Sequence, residues 1–320
     1  GYWGKVESNL DEAVFTTIGN DATRVAALLG GEVDWADPVP LQDQQRVNAS
    51  ANATVMAGTE LRTIFLGMDQ WRDELKDSSV KGRNPFKDPR VREAFYLAID
   101  EDTIAKRVMR GQATPSALLI APSLYDRAGE FKRPATDVKK AKTLLTEAGY
   151  PDGFSLTMDC PNDRYVNDEA ICQAVVSMLA RVGVKVNLNA QPKAKYFSKV
   201  LAPAYDTSFY LVGWTPSSQD SHNILYEIAG CRNDPKSGRG GWNLGNYCNP
   251  KVDAIADQVE AETDKAKRDA AIKQGFEQIQ ADWGFIPLHQ QALAWGVSKA
   301  VTLTQRPDNM LLLYWVSKQP

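Results

Sequence analysis

TDVKKAKTLLTEAGYPDGFSLTMDC, residues 136–160, carries two periodicities in succession. Val138, Ala141, Leu144, Leu145 and Ala148 recur at helical spacing and share one face of a helix, which Gly149 terminates and Pro151 prevents from resuming. Phe154, Leu156 and Met158 then alternate with polar residues, the period of a half-buried strand. NDEAICQAVVSMLARVGVKVNLNA, from Asn167, repeats the grammar: Asn167 as the expected cap, Gly183 as the stop, and Val184, Val186 and Leu188 alternating. Helix and strand alternating in this order predict an α/β protein with mixed, largely parallel sheets flanked by helices. In such sheets the loops at the carboxyl ends of the strands form the ligand crevice.

The pattern extends both ways. Towards the amino terminus, AVFTTI (13–18) reads as a short strand, NDATRVAALLGG as a helix starting at Asn20 or Asp21 and ending at Gly30, and EVDWADPVP as an extended exit. PLQDQQRV suggests a polar helix, and ANATVMAGTELRTIFLGMD one or two strands. Residues 70–83 are charged and apolar-poor, suiting a crossing between lobes. In NPFKDPRVREAFYLAIDEDTIAKRVMRG, Asp88 as N-cap with Pro89 at the first helical position starts one helix, and Asp100 caps a second that stops near Gly111. Towards the carboxyl terminus, DTSFYLVGW and IPLHQQALAWGVS read as strands, with PKVDAIADQVEAE and DKAKRDAAIKQGFEQIQADW as helices between them.

At 320 residues the chain exceeds one ordinary core and suggests about two lobes. A composition of 43% hydrophobic and 24% charged residues with net charge -3 is that of a globular protein with no field for nucleic acid or anionic membrane. No apolar run reaches the roughly 18 residues of a membrane span, and the first residues lack a signal-peptide pattern, so an export signal is expected outside this chain.

Four cysteines, Cys160, Cys172, Cys231 and Cys248, permit three pairings. Their local arrangement favours Cys160 with Cys172 and Cys231 with Cys248; four buried free thiols are the alternative. Cys231 sits in GCRNDPKSGRGGWNLGNYCNP, which has little apolar sequence to bury a thiol, so an oxidising compartment is the better reading.

Catalytic motifs are lacking. His222 and His289 are the two histidines, and no GxSxG elbow accompanies them. No HExxH, clustered CxxC or Asp-rich calcium loop is present, and GRGG (238–241) lacks a P-loop lysine, so neither metal nor cofactor is expected. Paired carboxylates such as Glu260 and Glu262 suit a solvated helix face. The NAS and NAT triplets at Asn48 and Asn52 carry little weight.

YWGK (2–5), LLGGEVDWADPVP (28–40), NPFKDPRVREAFYLAID (84–100), KAKTLLTEAGYPDGFSLTM (140–158) and GWTPSSQD (213–220) together resemble the family 5 solute-binding proteins, the dipeptide-, oligopeptide- and nickel-binding components of bacterial ABC importers. The resemblance covers essentially the whole chain but matches the carboxyl-terminal part of such proteins, so this chain by itself is expected to bind poorly. It implies a type II periplasmic-binding fold with two lobes closing on ligand, residues 1–75 with 284–320 in the first and 76–283 in the second. It further implies a cleaved signal peptide, a periplasmic location, and a family disulfide around YCNPKVD that matches the Cys231–Cys248 pairing.

In peptide-binding relatives the loop matching GWTPSSQD gives a tryptophan wall and an aspartate that pairs with the ligand amine. Trp214 matches the tryptophan; Ser217 stands where that aspartate is usual, and a short shift would bring Asp220 into its role. A serine cannot replace the charge, so opines, sugars and modified peptides stand beside peptides as ligand classes. Asp220 as a helix cap is the competing reading. Thr215, His289 and Gln291 complete the candidate ligand set, with Arg62 and Asp69 as weaker members. The expected function is a non-enzymatic, monomeric substrate-binding protein delivering a peptide-like or other small polar solute to inner-membrane permease subunits, without nucleic-acid partners. The alternatives are a carboxylate-pair glycoside hydrolase and a peptide-sensing or chaperone-like binder.

Overall fold

The computed structural model describes residues 4–234 and 236–319. Tyr2 and Trp3 of the YWGK motif lie outside the described residues. In chain order the elements are α1 (Asp21–Gly30), β1 (Trp35–Ala36), α2 (Gln44–Asn48), β2 (Ala53–Met68), α3 (Pro89–Ala98), α4 (Glu101–Thr103), β3 (Thr114–Pro115), α5 (Val138–Glu147), β4 (Phe154–Pro161), α6 (Asp168–Ala180) and β5 (Val184–Gln191). They continue with α7 (Lys193–Val200), β6 (Phe209–Trp214), α8 (Ser221–Asn223), α9 (Pro250–Ala261), α10 (Lys265–Ala281), β7 (Ile286–Ser298), β8 (Val301–Thr302) and β9 (Ser317–Lys318). Two compact units result, one within Gly1–Glu60 and Gln291–Pro320, the other Leu61–Gln290.

In the first unit, Val25, Leu28, Ala36, Val39, Val47, Ala53 and Ala294 form one buried apolar cluster. Helix α1 starts as its sequence predicts, with the Asn20 side chain accepting from the Thr23 amide. Its left-handed terminator is Gly31 (φ 76°), one residue beyond the expected Gly30. Strand β1 pairs antiparallel with β7, and Trp35 meets Trp295 edge to face at 5.5 Å. The expected strand at 13–18 does not form. Val14 and Phe15 are 79% and 67% exposed, and without a ladder partner an apolar run has no pairing to hold it extended.

In the second unit the sheet is mixed. Strand β4 runs parallel to β5 over its whole length and parallel to the start of β6, while β6 pairs antiparallel with β2 from Thr63 to Met68. Helix α3 packs Phe95 against Phe86, Phe209 and Phe154 at centroid distances of 5.0, 5.5 and 6.0 Å. This aromatic cluster ties the helix to β4 and β6, each ring burying on the order of 150–250 Å². Asn167 departs from expectation. It sits at the N-cap place of α6 with φ 54° and makes no capping bond; its amide reaches the Val108 carbonyl instead. The Asp168 carboxylate takes the local donors, accepting from the Arg164 and Tyr165 amides at 2.9 Å each.

Asp88 caps α3 as the sequence predicts, accepting from the Arg90 amide at 2.9 Å while pairing with the Arg90 guanidinium. That guanidinium, more than the opposing effect of burial, holds the Asp88 carboxyl below its usual value of 3.8. Because the folded-state value is depressed, its contribution is present above the ordinary carboxylate range and disappears as pH falls through the depressed value. Asp88→Asn keeps the cap acceptor without titrating. Its deficit in urea midpoint at about pH 7 should therefore shrink at about pH 3, whereas Asp88→Ala should lose about 1 kcal/mol through the cap. A deficit for Asp88→Asn that does not change with pH would contradict the role given to the carboxylate.

Candidate ligand-binding site

Strand β6 reads FYLVGW, and its first four residues are buried. The ladder to β4 covers only Phe209 and Tyr210, so the later backbone carbonyls need other partners. Two tyrosines provide them: Tyr196 donates to the Leu211 carbonyl at 2.7 Å and Tyr165 to the Gly213 carbonyl at 3.3 Å. A Cβ at position 213 would stand 2.7–2.9 Å from Ile64, Tyr165 and Arg62, so glycine is what lets these side chains close over the strand end. Arg62 lies over the Tyr165 ring at 5.9 Å, and Arg164 over the same ring at 4.9 Å.

Trp214 follows, half-buried. Its indole N–H donates to Asn223 Oδ1 at 2.7 Å, and the Asn223 amide donates to Glu227 Oε1 at 2.7 Å. The Trp242 ring meets the Trp214 ring at 4.9 Å with a 52° tilt, and Phe197 stands edge-on to Trp242 at 6.3 Å. Three elements of the second unit thus converge: the end of β6, the turn through α8, and the loop closed by Cys231 and Cys248. Both expected disulfides are formed, Cys160–Cys172 and Cys231–Cys248.

In the loop after Trp214, Thr215 is half-buried with its hydroxyl enclosed, Pro216 is buried, and Ser217 is exposed. Asp220 caps α8, accepting from the His222 amide at 2.7 Å, and holds both terminal nitrogens of Arg268 at 2.8 and 3.0 Å. Burial pushes its carboxyl up, but Arg268 and the His222 amide together outweigh this and leave it below the usual value. The imidazole of His222 lies 5.3 Å from the Tyr226 ring.

The other candidates have different surroundings. His289, on β7 opposite Pro115, is fully buried and bonded through Nδ1 to the Glu101 carboxylate at 2.7 Å. Gln291 belongs to the first unit and donates to buried Glu60 at 2.7 Å. Asp69 is buried against Arg72 at 2.5 Å and accepts from the Trp71 and Arg72 amides. The structure therefore groups Trp214, Thr215, Ser217 and Asp220 and gives His289, Gln291 and Asp69 partners of their own.

Trp242, Asn223 and Glu227 join the Trp214 cluster without having been singled out in the sequence. The signals were an aromatic residue within a cysteine-closed, glycine-rich loop, and an Asn and Glu four apart just after the strand end. An apolar cavity of about 330 Å³ lies elsewhere in the second unit, lined among others by Tyr96, Leu118, Phe276 and Trp283, and shares no residue with this cluster. Among the described residues no helix is long and apolar enough to cross a membrane.

A mixed α/β sheet flanked by helices is the architecture of the type II periplasmic binding proteins. The chain matches the bacterial extracellular solute-binding proteins, family 5 Middle, over residues 1–236, and it belongs to that family. It is 27% identical over 305 residues to the glutathione-binding protein GsiB of Escherichia coli strain K12, an alignment covering 94% of this chain and 56% of GsiB. The chain thus spans about half the length of the curated relatives it matches. Among solved structures, the Helicobacter pylori periplasmic binding protein DppA in complex with the peptide STSA superposes with a TM-score of 0.85 at 22% identity, covering 100% of this chain and 59% of DppA. The dipeptide-binding protein of Pseudoalteromonas sp. SM9913 with Met-Leu gives 0.80 at 22% identity, covering 94% and 57%. These similarities establish the type II fold, and the family and its relatives are binding proteins.

Proposed function

We propose that this chain is the ligand-binding portion of an ABC-importer substrate-binding protein that takes a peptide-like or other small polar solute at the loop after β6. The observation that carries the reading is the pairing of Trp214 with Trp242 at a strand's carboxyl end, in a chain of the solute-binding family. Two aromatic faces offer a stacking wall, and hydrogen-bonding groups from residues 215–223 set orientation. Capture would end in delivery to permease subunits from a monomeric protein in the periplasm, a compartment that suits the two disulfides. Asp220 is already held by Arg268, which favours solute binding over a carboxylate pair that includes it.

The test is calorimetric titration of the chain in its natural polypeptide with glutathione, dipeptides, an opine and an oligosaccharide. One class should give saturable heat, and Trp214→Ala should weaken it about 10-fold through lost stacking. No heat with any class, or undiminished affinity in the variant, would overturn the reading.

A further inference from the structure

The loop after β6 lies among several charged groups, and nearly all are matched within the protein. Asp220 is held by Arg268. Arg239, whose guanidinium lies 4.6 Å over the Tyr226 ring, pairs with Asp257 and Asp253. Glu227 differs. Its one side-chain partner among the described residues is the Asn223 amide, and no lysine or arginine pairs with it. Oε2 makes no described hydrogen bond, and it is not among the sealed, unpartnered atoms of the interior. It is therefore an acceptor left open on a half-buried carboxylate.

The direction of that acceptor's neighbourhood is fixed. Asn223 uses Oδ1 to receive the Trp214 indole N–H, so its amide nitrogen must face Glu227. The Glu227 backbone carbonyl receives the Trp242 amide at 3.1 Å. The carboxylate is thus linked through Asn223 to Trp214, while the Glu227 backbone holds Trp242, and the two tryptophan rings meet at 4.9 Å. We propose that Glu227 is the specificity-determining anchor for a ligand ammonium group, seated against Oε2 and beside the faces of Trp214 and Trp242.

Resting on the binding role argued above, this narrows the ligand to solutes bearing a free amine. Burial pushes the Glu227 carboxyl above its usual value, with the Asn223 bond and His222 only partly opposing, so its negative charge is under-compensated in the ligand-free protein. A ligand ammonium provides the missing cation and a charge-assisted hydrogen bond, and the indole faces favour the same charge. A carboxylate or phosphate at that point would meet like charge. Ser217, neutral and exposed, need not carry the anchor if Glu227 does.

The experiment compares alanyl-phenylalanine and glutathione with their N-acetylated forms by calorimetry, on the chain in its natural polypeptide and its Glu227→Gln and Glu227→Asp variants. The unmodified protein should bind at least one free amine about 10-fold or more tightly than its acetylated form. Glu227→Gln should erase that preference, chiefly by weakening the free amine, and Glu227→Asp, which keeps the charge, should retain part of it. Equal affinity of the unmodified protein for both forms, or an intact preference in Glu227→Gln, overturns this assignment while leaving solute binding standing. Absence of binding by every protein to every probe sinks the binding reading and this proposal together.

Discussion

Arg92→Met is expected to destabilise the second unit by about 3 kcal/mol or more, the largest effect of any single substitution argued for this chain. Arg92 is 8% exposed and bonds to no carboxylate; its guanidinium instead fans across backbone carbonyls. Nη1 donates to the Phe86 carbonyl at 2.7 Å and to that of Lys87 at 3.3 Å, while Nε and Nη2 both reach the Asp282 carbonyl at 3.0 and 2.6 Å. One side chain thus joins the turn leading into α3 to the carboxyl end of α10, about 190 residues away. Burial pulls the guanidinium below its usual value, with Asp282, Tyr247 and Asp88 offsetting part of that cost.

Methionine fills much of the volume but leaves three carbonyls without donors, each worth on the order of 1–3 kcal/mol where water cannot enter. Arg92→Lys keeps the charge but cannot span the fork, so it should lie between the two. Urea denaturation followed by circular dichroism should show a lower midpoint at unchanged slope. A loss under about 1 kcal/mol for Arg92→Met would mean that water reaches all three carbonyls.

Arg92 also illustrates why some of this structure was legible in the sequence and some was not. NPFKDPRVREAFYLAID declares its cap, its first-turn proline and its apolar face through local spacing, and α3 formed as read. That Arg92 would be buried among carbonyls cannot be read from spacing, because its partner Asp282 is the C-cap of α10, 190 residues away. The same division runs through the candidate site. Trp214 stands at the end of a strand that the continuous apolar run FYLVGW announces, whereas Trp242 reaches it from a loop without periodicity. Asp220 was legible as a cap because the spacing to His222 is local; its ion pair with Arg268, 48 residues on, was not. Residues 13–18 show the converse error. An apolar run reads as a strand, but pairing is a property of a partner and not of the run itself.

Replacing both cysteines of Cys231–Cys248 by serine should lower stability by about 3 kcal/mol, the entropy that cross-linking a loop of this size removes from the unfolded chain. The separation is 17 residues, against 12 for Cys160–Cys172, so the two bonds are expected to contribute similarly if chain entropy decides. Their folded surroundings differ. Cys160 and Cys172 are both fully buried between β4 and α6, whereas Cys248 is exposed. Mild reductant should therefore open Cys231–Cys248 first, while Cys160–Cys172 resists until the unit unfolds. Mass spectrometry after alkylation distinguishes the two, and simultaneous opening would contradict this order.

The folded loop has a second support. Buried Asn243 donates to the Gly230 and Tyr247 carbonyls at 2.8 and 2.7 Å and accepts from the Tyr247 amide at 3.0 Å. These bonds tie the loop across much the same span as the disulfide. In the double-serine variant Trp242 should therefore stay against Trp214, and ligand affinity should fall far less than stability does. Adding Asn243→Ala removes the second tie, leaves two buried carbonyls without their donor, and should then lower affinity as well. If the disulfide alone holds Trp242 in place, the double-serine variant will already show the full loss of affinity.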